Sequence, residues 1–214
     1  MQLVTTVPDD ADFDRLVTEI RSCKLCAPHL PLGPNPILRG LPSARLLIIS
    51  QAPGTRVHET GLSFNDRSGE RLREWLALDR GVFYDEARVA IMPMGFCYPG
   101  RDATGADLPP RRECAPLWHP RLRALLPAIA LTLLVGRYAI AHYQPGSRRL
   151  SMTAAVARWR DFLPDYFVLP HPSWHTIRWM RDHPWFEREA LPDLRNRIGR
   201  ILNSTLRSAP CPHR

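Results

Sequence analysis

The chain has no long apolar run. LTLLV, at 131–135, is far too short to cross a bilayer, and nothing near Met1 resembles the apolar core of a signal peptide. No membrane partner is therefore expected, and the expected compartment is the cytoplasm. Cysteine is sparse, with five in 214 residues, and in a reducing compartment these are not expected to form structural disulfides. Lysine is nearly absent: Lys24 is the only one among 29 Lys and Arg residues, so no positioned lysine nucleophile is evident. Internal repeats are missing too, and only the end after 206, rich in Pro, Arg and His, reads as loose. A chain of this length buries a proper core as one domain, here 1–206 with a tail at 207–214. A monomer is expected.

Positive charge is in surplus. The 29 basic residues stand against 21 Asp and Glu, a formal charge of +8. Such a balance favours a polyanionic partner such as nucleic acid.

The patterning is that of an α/β protein. Four short apolar runs, Leu46 to Ser50, Val89 to Pro93, Leu131 to Val135 and Phe167 to Leu169, are continuous rather than alternating, as in strands covered on both faces. Helical patterns lie around them. One spans roughly 10–22. Ser68 can cap another, at 68–78, in which Leu72, Trp75 and Leu76 share a face, and Leu122, Leu125 and Leu126 line a third. Gly136 starts a further helix, Met152, Val156 and Trp159 mark the next, and the last runs over about 184–203, with Pro192 placed to interrupt it. This alternation predicts a three-layer α/β/α sandwich around a mostly parallel four-stranded sheet.

Cysteine spacing carries chemistry. Cys23 and Cys26 form C-x2-C, and Cys97 and Cys114 bound a sixteen-residue loop that leaves the second strand. Two thiolates on one turn and two from a long loop can complete a tetrahedral set for a metal ion or a cluster. Free, partly buried thiols and a redox dithiol at Cys23 and Cys26 are the alternatives. Cys211 reads as an uninvolved tail residue.

Two strands open into polar loops punctuated by proline. After Ile49 the chain reads SQAPGTRVHETGLSFNDRSG, with no helix expected before residue 68; after Leu169 it reads PHPSWHTIRW. In a parallel sheet both loops leave the same edge, the usual place for chemistry. Each residue in them has a structural alternative: Phe64 as core, Asp66 as a helix cap, Gln51 as a tie within its loop, Trp174 as a loop anchor and Arg178 as a solvated surface residue. His58 and Glu59 are neighbours in sequence that point apart, so they make a poor acid/base pair. Arg56, Arg67, Arg178 and Arg181 would gather positive potential at the mouth.

Taken together these stretches resemble the uracil-DNA glycosylase superfamily over nearly the whole chain. SQAPG, at 50–54, resembles its first motif, HPS, at 171–173, its second, and TGLSF, at 60–64, the segment that sets a Phe against the base. The cysteine spacing resembles the iron-sulfur branch, which implies a [4Fe-4S] cluster on Cys23, Cys26, Cys97 and Cys114, with zinc or no metal as the alternatives. The resemblance implies that Gln51, Ala52, Pro53 and Gly54 hold base and water, that Phe64 stacks on the base, that Asp66 serves as carboxylate, and that His171 faces the base oxygen. Ser173 would join the residues that bind the base, and Trp174, Arg178 and Arg181 would face the DNA. Departures are specific: Ser50 stands where the family has Gly, Ala52 where some members have Asp or Asn, and Pro93 where many read uracil with Asn.

The implied activity is a monofunctional DNA glycosylase that flips out and excises uracil or another deaminated base. Two alternatives remain: a divergent member that binds damaged nucleic acid without excision, and a cysteine-metal module that binds protein. For Asp66 and His171 to meet, their strands are expected to be parallel and neighbouring.

Overall fold

In the computed structural model, which describes residues 10–203, a four-stranded sheet lies between helices on both faces. Cys211 and the tail at 207–214 lie outside the described residues. In chain order the main elements are α1 (Asp10–Arg21), β1 (Leu46–Ile49), α2 (Thr55–Thr60), α3 (Arg67–Leu76), α4 (Arg80–Phe83) and β2 (Val89–Ile91). There follow α5 (Cys114–Ala124), β3 (Leu131–Val135), α6 (Arg137–Tyr143), α7 (Met152–Ala157), β4 (Tyr166–Leu169), α8 (His175–Asp182) and α9 (Leu191–Asn203).

The strands lie in the order β2-β1-β3-β4, and every pairing is parallel. LLII, VAI and LTLLV are buried at each position, because helices cover both faces of the sheet. The helices answer with apolar stripes at helical spacing: Phe13, Leu16, Val17 and Ile20 on α1, Leu72, Trp75 and Leu76 on α3, and Leu191, Leu194, Ile198 and Leu202 on α9. These side chains and the strands form one continuous core.

The folded chain differs from the sequence reading in four places. First, the loop after β1 contains a short helix, α2, stopped by Gly61 in the left-handed region at φ 67°. Second, α3 begins at Arg67 because Asp66, not Ser68, is its cap: the Asp66 side chain accepts from Gly69 N at 2.9 Å. Third, the last helix is broken. Residues Phe186–Ala190 make a wider turn, and Pro192, which has no N–H to give, falls in the first turn of α9. Fourth, β1 and β4 are parallel but not neighbours, since β3 lies between them. Their loops meet across Gly136, the residue that follows β3. It has φ 87° and no side chain; a methyl group there would stand 3.5 Å from His171 Cβ.

Candidate active site

The sheet edge holds a hollow of about 120 Å³, partly open to solvent. Gln51, Ala52, Pro53 and Gly54 line it from the β1 exit, Phe64 and Asp66 from the segment before α3, His171 from the β4 exit and Pro93 from the β2 exit. Residues far apart in sequence thus meet at the carboxyl ends of the strands, as expected.

Main-chain bonds hold the first loop against the β2 exit: Met94 N donates to Ser50 O at 2.8 Å and Gly95 N to Gln51 O at 3.0 Å. The Gln51 amide Nε2 donates to Leu108 O at 3.4 Å, so this side chain ties its loop to the long loop between Cys97 and Cys114. Phe64 is both core and wall. It is buried, meets Phe83 edge-on at 6.0 Å, and takes φ 56°, a conformation uncommon for an aromatic residue. Tyr84 Oη and Arg73 donate to its carbonyl at 3.0 and 3.2 Å and hold it there. Gly69 is required beside it, because a Cβ at 69 would fall 1.7 Å from that carbonyl oxygen. Asp66 caps α3 with Oδ1 and also lines the hollow.

His171 is fixed through its main chain. Its carbonyl accepts from Ser173 N at 2.8 Å and Thr176 Oγ1 at 2.5 Å, and the next carbonyl, of Pro172, accepts from Arg71 at 3.0 Å. His171 keeps accessible surface at the mouth, yet protein atoms crowd its ring. Accessibility is what a ligand meets, whereas crowding sets the field at the ring, so the two descriptions govern different properties. Crowding pushes the imidazole below its usual pKa, and the negative charges of Asp66 and Asp107 act in the opposite sense. The neutral form is favoured.

The other sequence candidates lie outside the hollow. Ser173 forms the turn into α8, where its carbonyl accepts from Thr176 N at 3.1 Å. Trp174 is 71% exposed and lies over His175, with Ile177 exposed nearby. Arg178 and Arg181 are exposed and enter no ion pair among the described residues. His58 faces Tyr98 at 6.1 Å between ring centroids, and Glu59 is exposed; neither lines the hollow.

Cys23, Cys26, Cys97 and Cys114 line a second, smaller hollow, of about 20 Å³, walled by Ile20, Leu25, Leu30, Phe96 and Trp118. All four thiols are free. Phe96 N donates to Cys114 Sγ at 3.4 Å. Burial pushes the Cys97 thiol up to about 11 and Cys114 up to about 12, and the other cysteines add to both shifts. Burial also raises Cys26. Gathering thiolates here without a compensating positive centre is therefore unfavourable, and a cationic centre would remove the conflict. Among the described residues no three His, Cys, Asp or Glu side chains are grouped as a site for one metal ion.

Two participants were not read from the sequence. Asp107, paired with Arg101 in the long loop, lines the first hollow; its one signal was its place between two cysteines that return to the sheet edge. His119 lies behind Pro93, with Nε2 3.0 Å from the Pro93 carbonyl and Nδ1 2.7 Å from Tyr143 Oη. A carbonyl only accepts, so Nε2 carries the hydrogen and the tyrosine donates to Nδ1. Burial pushes His119 down to about 4.

The chain is thus an α/β/α protein whose parallel strands end at a polar hollow lined by an aromatic ring, a carboxylate and an imidazole. Residues 39–195 match the family model of the uracil DNA glycosylase superfamily, and the chain belongs to that superfamily. The match takes in both motif loops, Phe64, Cys97 and Cys114, and leaves Cys23 and Cys26 outside. No helix among the described residues is long and apolar enough to cross a membrane.

Proposed function

We propose that this protein is a monofunctional DNA glycosylase of the iron-sulfur branch, excising uracil or another deaminated base from DNA. The observation that carries the reading is the meeting of Gln51–Gly54, Phe64, Asp66 and His171 in one hollow. Breaking an N-glycosidic bond places positive charge on the sugar and negative charge on the departing base. Asp66 offsets the first. His171, in its neutral form, donates to the base oxygen and offsets the second, the kind of preorganised donor whose loss costs about a hundredfold or more in rate. Phe64 is the platform for a base taken out of the stack. Trp174, Arg178 and Arg181 face the nucleic acid, and Ser173 holds the turn that presents them. Domain, compartment and oligomeric state follow the sequence reading: one domain, cytoplasmic, monomeric.

Cys23, Cys26, Cys97 and Cys114 would hold a [4Fe-4S] cluster, which would supply a positive centre to their thiolates and cross-link the N-terminal segment to the long loop. Zinc on the same thiols is the competing occupant.

The test is to incubate cluster-loaded protein with single- and double-stranded oligonucleotides carrying uracil, hypoxanthine or xanthine, then cleave abasic sites with alkali. Product from at least one base is expected. Pro93 supports a second reading, because proline offers no side-chain amide where many relatives read uracil. Tight binding to damaged DNA with no product from any base would establish that reading in place of the first.

A further inference from the structure

Asp107 enters the hollow from the loop between Cys97 and Cys114, outside SQAPG, TGLSF and HPS. Its loop is a short hairpin: Arg101 and Asp107 face each other across an antiparallel bridge, and Leu108 N donates to Gly100 O at 2.9 Å. Asp102 closes the turn, its Oδ1 accepting from Thr104 N, Thr104 Oγ1 and Ala106 N at 2.8, 2.6 and 3.1 Å. The Gln51 amide clips the hairpin to the first motif loop through Leu108 O. Asp107 is thereby carried to a defined place. Its Oδ1 faces Arg101 Nε at 3.3 Å, and a methyl group added at Gly54 would lie 3.7 Å from its Oδ2.

Ala52 has no polar side chain where some relatives have a catalytic Asp. Asp66 gives Oδ1 to Gly69 N, and Gln51 gives its amide to Leu108 O. Asp66 Oδ2 and Asp107 Oδ2 are both without a hydrogen bond among the described residues, and it is Asp107 Oδ2 that lies beside Gly54 of the first motif loop, where the family resemblance puts the hydrolytic water. We propose, resting on the glycosylase reading above, that Asp107 is the catalytic carboxylate that holds and deprotonates this water.

The step balances without any further reactant. The water oxygen bonds to C1′ of the deoxyribose as the C1′–N bond breaks, and the electron pair of that bond leaves with the base. One water proton passes to Asp107 Oδ2 and then to the base anion. The products are free base and an abasic sugar, with Asp66 left to offset charge on the sugar.

The experiment compares wild type and Asp107→Asn, both cluster-loaded, in single-turnover excision. It also measures binding to two oligonucleotides, one with a neutral tetrahydrofuran in place of the damaged nucleoside and one with a cationic pyrrolidine. Expected for Asp107→Asn is a rate loss of about tenfold or more. Melting temperature and affinity for the neutral analogue should be unchanged, and the wild-type preference for the cationic analogue reduced. An Asp107→Asn variant that excises at the wild-type rate and keeps the cationic preference overturns the proposal. If wild type excises no base yet prefers the cationic analogue through Asp107, the glycosylase reading and the catalytic role of Asp107 fall together, and only its place beside the sugar stands. If wild type neither excises nor prefers the cation, both fall.

Discussion

At the residue scale the same side chain can serve fold and chemistry, and substitutions can separate the two. Asp66 is the case in point, a helix cap that also lines the hollow. Asp66→Asn keeps an oxygen for Gly69 N but removes the charge, so single-turnover excision should fall by about tenfold or more with little change in melting temperature. Asp66→Ala removes both, and should add a stability loss of about 1 kcal/mol, read by urea unfolding. If Asp66→Asn keeps the wild-type rate, the residue is a cap only. Gly69→Ala tests the wall itself, because the new methyl would collide with the Phe64 carbonyl. Expression of folded protein should drop sharply. Asp66 and Phe64 were legible as candidates because each stood in a recognisable motif. Asp107 was not: an exposed aspartate in a hairpin has no periodicity, and only the fold brings it to the hollow.

At the scale of elements, strands were easier to read than the loops between them. Continuous apolar runs predict buried strands directly, whereas TRVHET, at 55–60, is under two turns long and has only Val57 to bury. The order of strands was less legible still, since pairing is decided by tertiary packing and no local pattern encodes it. That is why β1 and β4 were expected side by side. Two elements carry predictions of their own. If α8 faces DNA, Arg178→Ala with Arg181→Ala should weaken binding about equally at all sequences and flatten the dependence of affinity on salt by about two phosphate contacts. An unchanged salt series would move the DNA to another face. The loop bounded by Cys97 and Cys114 should depend on its anchors, so Cys97→Ser should open 98–113 to limited proteolysis, while Cys211→Ser leaves the digestion pattern as in wild type.

The whole molecule responds to pH through two imidazoles, of which His119 is buried. His119 is pushed down to about 4 by burial, and His171 is lowered as well. In the unfolded chain both titrate near 6.5. Below that pH the unfolded state binds protons that the folded state refuses, so stability is lost as pH falls from about 6.5 toward 4 and is flat above it. The His119 share is roughly 3 kcal/mol. Urea midpoints should therefore drop across this window, and drop less in His119→Gln. An equal drop in both would assign the effect to other groups. The thiols make a separate whole-molecule prediction: protein purified without oxygen should be brown and hold about four iron and four sulfide per chain. Stoichiometric zinc with no capacity for iron would replace the cluster.

The strand order has a consequence for how the chain is made. The central strand β1 takes β3 as a neighbour, and Leu46 pairs with Leu131, while Thr132 pairs with Tyr166. Until residue 131 has left the ribosome, β1 has only the three-residue β2 beside it, and the side meant for β3 is bare. Closing such distant pairs is slow compared with local helix formation. Nascent chains arrested near residue 130 should accordingly be sensitive to protease and bound by chaperones, and resistance should appear only once β4 has emerged.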